Sequence, residues 1–192
     1  MSATRGPRMV LLGKQGSGKG TQGQRLAEYF GTQHLSTGQM FRDSATAGVA
    51  AGLEAKAYMD RGELVPDDIV IAVVAERFQN RTEVEPGFVL DGFPRTKQQA
   101  LQLDEILIDH PIDVVIDLEV PTDVVVERMR SRGREDDTDE SIRRRLELYD
   151  TETKPLVDFY RERSLLMTVD GLGTEEEVQA ALLDAVAGRY SD

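Results

Sequence analysis

The chain has 192 residues, of which 40% are hydrophobic and none is cysteine, and its formal net charge is −12 at pH 7. This length suffices for one domain with its own core, while the lack of cysteine excludes disulfides and a thiolate-bound structural zinc. The acidic balance disfavours nucleic acid and anionic membranes as partners. The first seven residues lack the apolar segment of a secretion signal, and no later run is long enough to cross a bilayer. We therefore expect a cytoplasmic protein.

A glycine-rich loop over residues 13–21, with the sequence GKQGSGKGT, follows the first predicted strand at residues 9–12 and leads into a helix-permissive stretch. Backbone N–H groups in such a loop turn towards an anion, the following helix adds its positive dipole end, and Lys19 supplies a cation for the outer phosphates. Gly20 stands where most such loops carry the Ser or Thr that binds Mg²⁺, and Thr21 comes one residue later. The loop predicts binding of a nucleoside triphosphate.

The rest of the chain alternates short apolar runs with helical patterns. Thr96 and Thr122 can cap helices, and a long helix from about Thr138 meets Pro155, which should kink or interrupt it. The alternation predicts an α/β fold with a doubly wound, five-stranded parallel sheet, in a single domain over residues 1–192. The further strands are predicted at residues 33–35, 88–90, 114–118 and 165–169.

Two insertions interrupt this alternation. The first, at about residues 36–65, contains two short helical stretches and is too long for an ordinary crossover, so we expect it to form the wall of a second substrate site. The second, at about residues 131–137, is expected to be a short lid that is too polar to pack, with Arg134 exposed to solvent and mobile. It lies in an arginine-rich region, since residues 127–145 contain seven arginines and six carboxylates in a chain that is otherwise acidic.

Arginine suits phosphate binding because its planar guanidinium group can bind two oxygens at once. For Arg130, Arg143 and Arg144 we instead expect solvated i,i+4 ion pairs. The segment 88–95, FVLDGFPR, places Asp91 at the carboxyl end of a predicted buried strand. There Asp91 can hold Mg²⁺, directly or through water, or it can cap the next helix.

Taken together, these motifs resemble those of the adenylate kinase family in its short-lid form. The resemblance covers about residues 8–187. It implies a P-loop kinase fold with a helical insertion that binds the nucleoside monophosphate. The implied reaction is ATP + AMP ⇌ 2 ADP with Mg²⁺ bound to ATP, which serves adenine nucleotide homeostasis. The motifs are GSGKGTQ at 16–22, LSTGQMFR at 35–42, GELVPD at 62–67, DGFPRT at 91–96, Gln99, RGREDD at 132–137 and RRRL at 143–146.

The same resemblance implies the site residues. ATP would be bound by Gly16, Ser17, Gly18, Lys19, Gly20, Thr21, Arg128, Arg132 and Gly173. AMP would be bound by Thr37, Arg42, Glu63, Leu64, Val65, Gly92, Phe93, Pro94, Arg95, Gln99, Arg134 and Arg145. Within these sets Thr37 and Gln99 would meet the adenine of AMP, and Arg42 and Arg95 would hold its phosphate. The catalytic residues would be Lys19, Arg95, Arg132, Arg134 and Arg145. Asp91 would orient Mg²⁺ through its bound water.

Two residues depart from the family pattern: Gln15 replaces a common proline and Gln39 replaces the usual acid, although neither contacts phosphate in the implied scheme. A uridylate–cytidylate kinase would share the fold, but the resemblance there predicts Ala at position 37 and Asn near position 96. A GTPase would need an Asn-Lys-x-Asp motif, which the sequence lacks. A nucleotide sensor without turnover is expected to lack Lys19, Arg95 or Arg134, and all three are present. Nothing in the sequence requires a partner chain, so we expect a monomer.

Overall fold

A parallel β-sheet forms the centre of the computed structural model, which describes residues 5–79 and 84–189. Its strands lie in the order β2-β3-β1-β4-β5 and all neighbours pair in parallel. The strands are β1 (Arg8–Leu12), β2 (Gln33–Ser36), β3 (Phe88–Asp91), β4 (Val114–Glu119) and β5 (Leu166–Asp170). The five predicted strands are confirmed, with ends that differ by no more than one residue.

Helices connect the strands. They are α1 (Lys19–Phe30), α2 (Thr37–Thr46), α3 (Ala50–Asp60), α4 (Asp67–Gln79), α5 (Lys97–Ile106), α6 (Thr122–Arg132), α7 (Asp139–Leu148), α8 (Pro155–Glu162) and α9 (Glu175–Arg189). Thr96 caps α5 as predicted, because its side-chain oxygen accepts from a backbone N–H group of the first turn. Thr138, near which the sequence predicts the start of a long helix, caps α7 in the same way. The helix α4 is not predicted from the sequence, because its apolar residues surround the helix and leave no clear amphipathic period.

The predicted cap at Thr122 is wrong by one residue. Pro121 occupies the cap position of α6 with an extended ψ of 148°, and Thr122 is already helical. Proline suits this position because its φ is fixed and because it has no N–H group that would need a hydrogen-bond partner. Its carbonyl oxygen accepts from the N–H of Val125 at 3.1 Å, which begins the helical hydrogen bonding.

A π-helical turn, Tyr149–Thr153, separates α7 from α8. Pro155 has no N–H with which to continue the α-helical ladder, and the N–H of Lys154 bonds to the carbonyl of Tyr149, five residues back, at 2.8 Å. Pro155 then starts α8. The prediction that Pro155 interrupts a long helix is confirmed.

Two apolar clusters cover the faces of the sheet. On one face, α1 and α9 pack through residues such as Leu26 and Leu182. On the other, α4, α5 and α8 pack through Val74, Leu103 and Tyr160. Because the central strands are buried on both faces, they appear in the sequence as continuous apolar runs. The packing holds the carboxyl ends of β1, β3 and β4 side by side.

Both predicted insertions lie at this carboxyl edge. The first contains α2 and α3 and leads into α4. In the lid region, Arg132 ends α6, and a loop over residues 133–138 leads into α7. Among the described residues, none of the helices combines the length and apolar character needed to cross a membrane. Residues 1–4, on which the expectation about a secretion signal partly rests, lie outside the described residues.

Candidate active site

A cavity of about 1320 Å³ opens at the carboxyl edge of the sheet. Pockets for one small ligand usually measure about 300–1,000 Å³, so this cavity has room for two nucleotides. The phosphate loop, the first insertion, the end of α6, the lid loop and the π turn all contribute to its wall. The six arginines assigned to substrate binding all line it, namely Arg42, Arg95, Arg128, Arg132, Arg134 and Arg145.

The phosphate loop has left-handed backbone at Gly16 and Gly18, with φ values of 84° and 102°. Residues with side chains rarely adopt this conformation, and a Cβ at Gly16 would lie 2.7 Å from the carbonyl oxygen of Val125. Gly18 precedes α1 and has no side chain that could cap it. The first N–H groups of α1 are therefore available to an anion.

The ammonium group of Lys19 lies within this loop. Its Nζ donates to the carbonyl oxygens of Gly13 at 2.6 Å and Lys14 at 2.7 Å. Burial lowers the pKa of Lys19 to about 8, and the nearby carboxylates of Asp91 and Asp117 partly oppose this shift. A bound polyphosphate would add negative charge and favour the protonated form.

Asp91 faces the first turn of α1 from the end of β3. Its exposed fraction is 8%, and a Cβ at Gly20 would lie 3.8 Å from its Oδ2. It does not cap the next helix, because Thr96 does so. The structure thus removes one of the two interpretations that the sequence left open. Within residues 5–79 and 84–189, no three Cys, His, Asp or Glu side chains cluster closely enough to hold a metal ion by themselves.

Arg128 connects the phosphate loop to the loop that follows β5. Its guanidinium group donates to the carbonyl oxygens of Ser17 at 3.3 Å and Gly171 at 3.2 Å. Gly173, in that second loop, also lines the cavity. These contacts bring the predicted ATP-binding residues of three distant segments together.

Ion pairs hold the lid loop in place. The Asp137 carboxylate accepts from Arg132 at 2.6 Å and from Arg145 at 2.9 Å, and Asp136 pairs with Arg145 as well. The Asp137 side chain is only 1% exposed. The expectation that this segment is too polar to pack is therefore wrong at Asp136 and Asp137, because buried carboxylates are tolerated where arginines pair with them. Arg134 is exposed, as expected.

Arg95 lies between β3 and α5 and reaches the cavity beside Gly92. Its Nε donates to the carbonyl oxygen of Gly92 at 2.8 Å. Gly92 has a φ of 84°, and a Cβ there would lie 2.7 Å from Thr37 Oγ1. The backbone at this point therefore needs glycine.

Five of the residues assigned to AMP binding do not line the cavity within the described part of the chain: Thr37, Glu63, Val65, Phe93 and Gln99. Thr37 and Gln99 are each 2% exposed, and Phe93, at 1%, is part of the core. The Glu63 carboxylate binds Arg61 at 2.7 Å and Arg144 at 2.9 Å. Only the main chain of Glu63 therefore remains available for a nucleotide.

The arginines expected to form solvated pairs are half or more exposed. Arg143 pairs with Glu147 at 3.9 Å in the expected i,i+4 arrangement. Arg130 instead pairs with Asp139 at 2.9 Å. Arg144 pairs with Glu63 of the first insertion, as described above, so its partner is distant in sequence.

Several polar residues around the cavity do not appear among the sequence predictions. Asp117 is 3% exposed within β4, and burial raises its pKa. The position of Asp117 inside an apolar run is the sequence signal by which it could be recognised as a candidate site residue. Tyr149 and Thr153 line the cavity from the π turn. His34 also lines the cavity, and it packs against Gly23 of α1.

The parallel sheet, the lysine-bearing phosphate loop and the arginine-lined cavity define a P-loop phosphotransferase. The profile of the family described as adenylate kinase matches residues 11–165. The adenylate kinase of Xylella fastidiosa (strain 9a5c) is 45% identical over 185 residues, which cover 93% of this chain and 98% of the relative. That of Stenotrophomonas maltophilia (strain R551-3) is 46% identical over 187 residues, 94% of this chain and 100% of the relative. The chain belongs to the adenylate kinase family.

Proposed function

We propose that this protein transfers the γ-phosphoryl group of ATP reversibly to AMP, giving two ADP, and so interconverts the adenine nucleotides. The observation that carries this proposal is the convergence of one phosphate loop and six arginines on a cavity of about 1320 Å³. Membership of the adenylate kinase family supports the choice of both substrates.

ATP binds on the side of the phosphate loop. The loop amides and Lys19 hold its phosphates, while Arg128 and Gly173 lie beside its adenine. Supporting this arrangement, Arg128 joins the phosphate loop to the loop that contains Gly173. Arg132 completes the set from the end of α6.

AMP binds on the side of the first insertion. Arg42 and Arg95 hold its phosphate, and both line the cavity. We assign its adenine to the main chain of residues 63–65 and 92–94 and to Thr37 and Gln99, which are buried in this structure, so AMP binding must expose them. Arg134 and Arg145 reach the transferring group from the lid and from α7. One chain carries both sites in this scheme, so we propose a monomeric enzyme.

Asp91 is suited to Mg²⁺ that is bound with ATP. Mg²⁺ usually takes one or two carboxylates together with substrate phosphates and keeps several waters. A single buried carboxylate that faces the start of α1 fits this requirement. The ion would neutralise phosphate charge, and Asp91 would orient it through a bound water.

The chemistry needs no nucleophilic side chain. An oxygen of the AMP phosphate attacks the γ-phosphorus in line, and the bond to the β–γ bridging oxygen breaks as the new P–O bond forms. The departing ADP keeps that electron pair. The protein positions both nucleotides, and its cations neutralise the charge that spreads over the transferring oxygens in a site from which water is excluded.

AMP should be the strongly preferred acceptor. A base without the adenine pattern leaves its own polar groups unpaired beside Thr37 and Gln99 in the enclosed site. We expect kcat/KM for AMP to exceed the values for UMP, CMP and GMP by at least about 10²-fold. Diphosphate formation from ATP, Mg²⁺ and each monophosphate in turn measures this preference.

A sample with ATP and no acceptor controls for hydrolysis in this experiment. Comparable rates with UMP or CMP would contradict the proposal and move the assignment to the uridylate–cytidylate kinases. Nucleotide binding without turnover of any monophosphate would instead indicate a sensor.

A further inference from the structure

The main chain of Arg95 is bound through both its N–H and its carbonyl group. The N–H donates to Gln99 Oε1 at 2.8 Å, and the carbonyl oxygen accepts from Thr153 Oγ1 at 2.9 Å. Arg95 itself lies in a segment without regular secondary structure, between β3 and α5. The side chains of Gln99, four residues further on, and of Thr153, 58 residues away, therefore supply the restraint that a helix or strand would otherwise give.

Asp67 fixes the orientation of the Gln99 side chain. Gln99 Nε2 donates to Asp67 Oδ1 at 2.6 Å. An ionised carboxylate only accepts hydrogen bonds, so it binds the NH₂ end of the amide and turns the carbonyl end towards Arg95. Gln99 is 2% exposed, which leaves water little access to compete. Asp67 is the first residue of α4, directly after the first insertion.

The π turn holds Thr153 in place on the other side. Thr153 is 8% exposed, and the turn is closed by the hydrogen bond from Lys154 to Tyr149. Thr151, in the same turn, is exposed and donates to the carbonyl of Glu147 at 3.1 Å. The two threonines thus share a turn, but only Thr153 contacts Arg95.

We propose that Asp67 and Thr153 are positioning residues for phosphoryl transfer. They fix the main chain of Arg95 through its N–H and its carbonyl group and so aim its guanidinium group at the acceptor phosphate. This inference rests on the proposed function, which assigns that phosphate to Arg95. The long side chain amplifies small rotations of its main chain, and a displacement of about 1 Å at a reacting group can cost about 10²-fold in rate.

The test compares Thr153→Val with Thr151→Val, and Asp67→Ala with its neighbour Asp68→Ala. Loss of one buried hydrogen bond typically changes an equilibrium by about three- to tenfold. We expect Thr153→Val and Asp67→Ala each to lower kcat/KM for AMP by about that factor, mainly through KM. KM for ATP should change by less than about twofold, because the phosphate loop is untouched. Thr151→Val and Asp68→Ala should resemble the wild type. Thr153→Ser, which keeps the hydroxyl group, should retain the wild-type activity.

A double-mutant cycle with Arg95→Ala separates positioning from a general structural effect. If Thr153 acts through the Arg95 guanidinium group, Thr153→Val should have no further effect once that group is removed. An equal rise in KM for ATP and AMP, or a full effect that persists in the Arg95→Ala background, would overturn the inference.

An inactive wild type would refute the proposed function and this inference with it, whereas an active wild type in which Thr153→Val matches Thr151→Val would refute the inference alone. Thermal unfolding of every variant checks that it is folded.

Discussion

Replacement of Lys19 by methionine should lower kcat/KM for ADP formation by about 10²–10⁴-fold while the fold stays intact. The Lys19 ammonium group lies inside the phosphate loop, where it contacts the carbonyl oxygens of Gly13 and Lys14. Methionine keeps the length of the aliphatic chain and removes only the charge and its donors. Steady-state kinetics with both substrates varied measures the loss.

Lys97→Met is a suitable control for this charge removal, since Lys97 lies over the ring of Phe159, 5.7 Å from its centroid, and is not part of the phosphate loop. It should keep near-normal activity. Arg95→Ala should resemble Lys19→Met in magnitude, because we propose that its guanidinium group holds the acceptor phosphate. Near-normal turnover by a folded Lys19→Met variant would show that the glycine-rich loop is not the donor phosphate site.

The second large effect is expected at Arg134. In the described part of the chain, Arg134 has no carboxylate within ion-pair distance, whereas Arg132 and Arg145 are bound by Asp136 and Asp137. Partial loss of hydration around the Arg134 side chain lowers its pKa, and the nearby Arg132 lowers it further. An arginine in this situation is suited to an anion that arrives with the substrates.

We therefore expect Arg134→Ala to reduce kcat by about 10²–10⁴-fold and to change the affinity for ATP alone by less than about tenfold. An interaction made when both nucleotides are enclosed acts on the transition state more than on ATP binding. Calorimetric titration with ATP and steady-state kinetics give the two numbers separately.

Arg130→Ala is the matched control, because Arg130 lies in the same region but is exposed and pairs with Asp139 at 2.9 Å. Its activity should be close to that of the wild type. Equal losses of ATP affinity and kcat in Arg134→Ala would refute the role of the lid in the transition state, even if the phosphate loop is correctly assigned.

The fold was largely predictable because the central strands β1, β3 and β4 are buried on both faces and appear as short apolar runs. Thr96 is predictable as a cap for a local reason, since it lies three residues before the N–H that it binds, and Thr138, near which the long helix is predicted to begin, has the same spacing. The helix α4 was missed for the opposite reason: apolar residues surround it, so its period is hidden. The local sequence pattern therefore explains why the strands and the Thr96 cap are predictable and why α4 is not.

The site was predictable only in part. The phosphate loop and the arginines carry recognisable spacing, and the structure brings these arginines to one cavity. Asp67 and Thr153 could not be found in this way, because their partners Gln99 and Arg95 are 32 and 58 residues away. The same applies to the burial of Asp137, which depends on how α6 and α7 fold together. Contacts between distant residues leave no periodic signal in the sequence.

The most direct test of the proposed activity supplies the protein with ADP and Mg²⁺ as the sole nucleotide and metal. The proposal predicts that ATP and AMP appear in equal amounts, and that an equimolar mixture of ATP and AMP approaches the same equilibrium from the other side. Chromatographic separation of the three nucleotides over time measures both directions. Unchanged ADP, or release of inorganic phosphate without matching ATP, would contradict the assignment of this cavity to transfer between two adenine nucleotides.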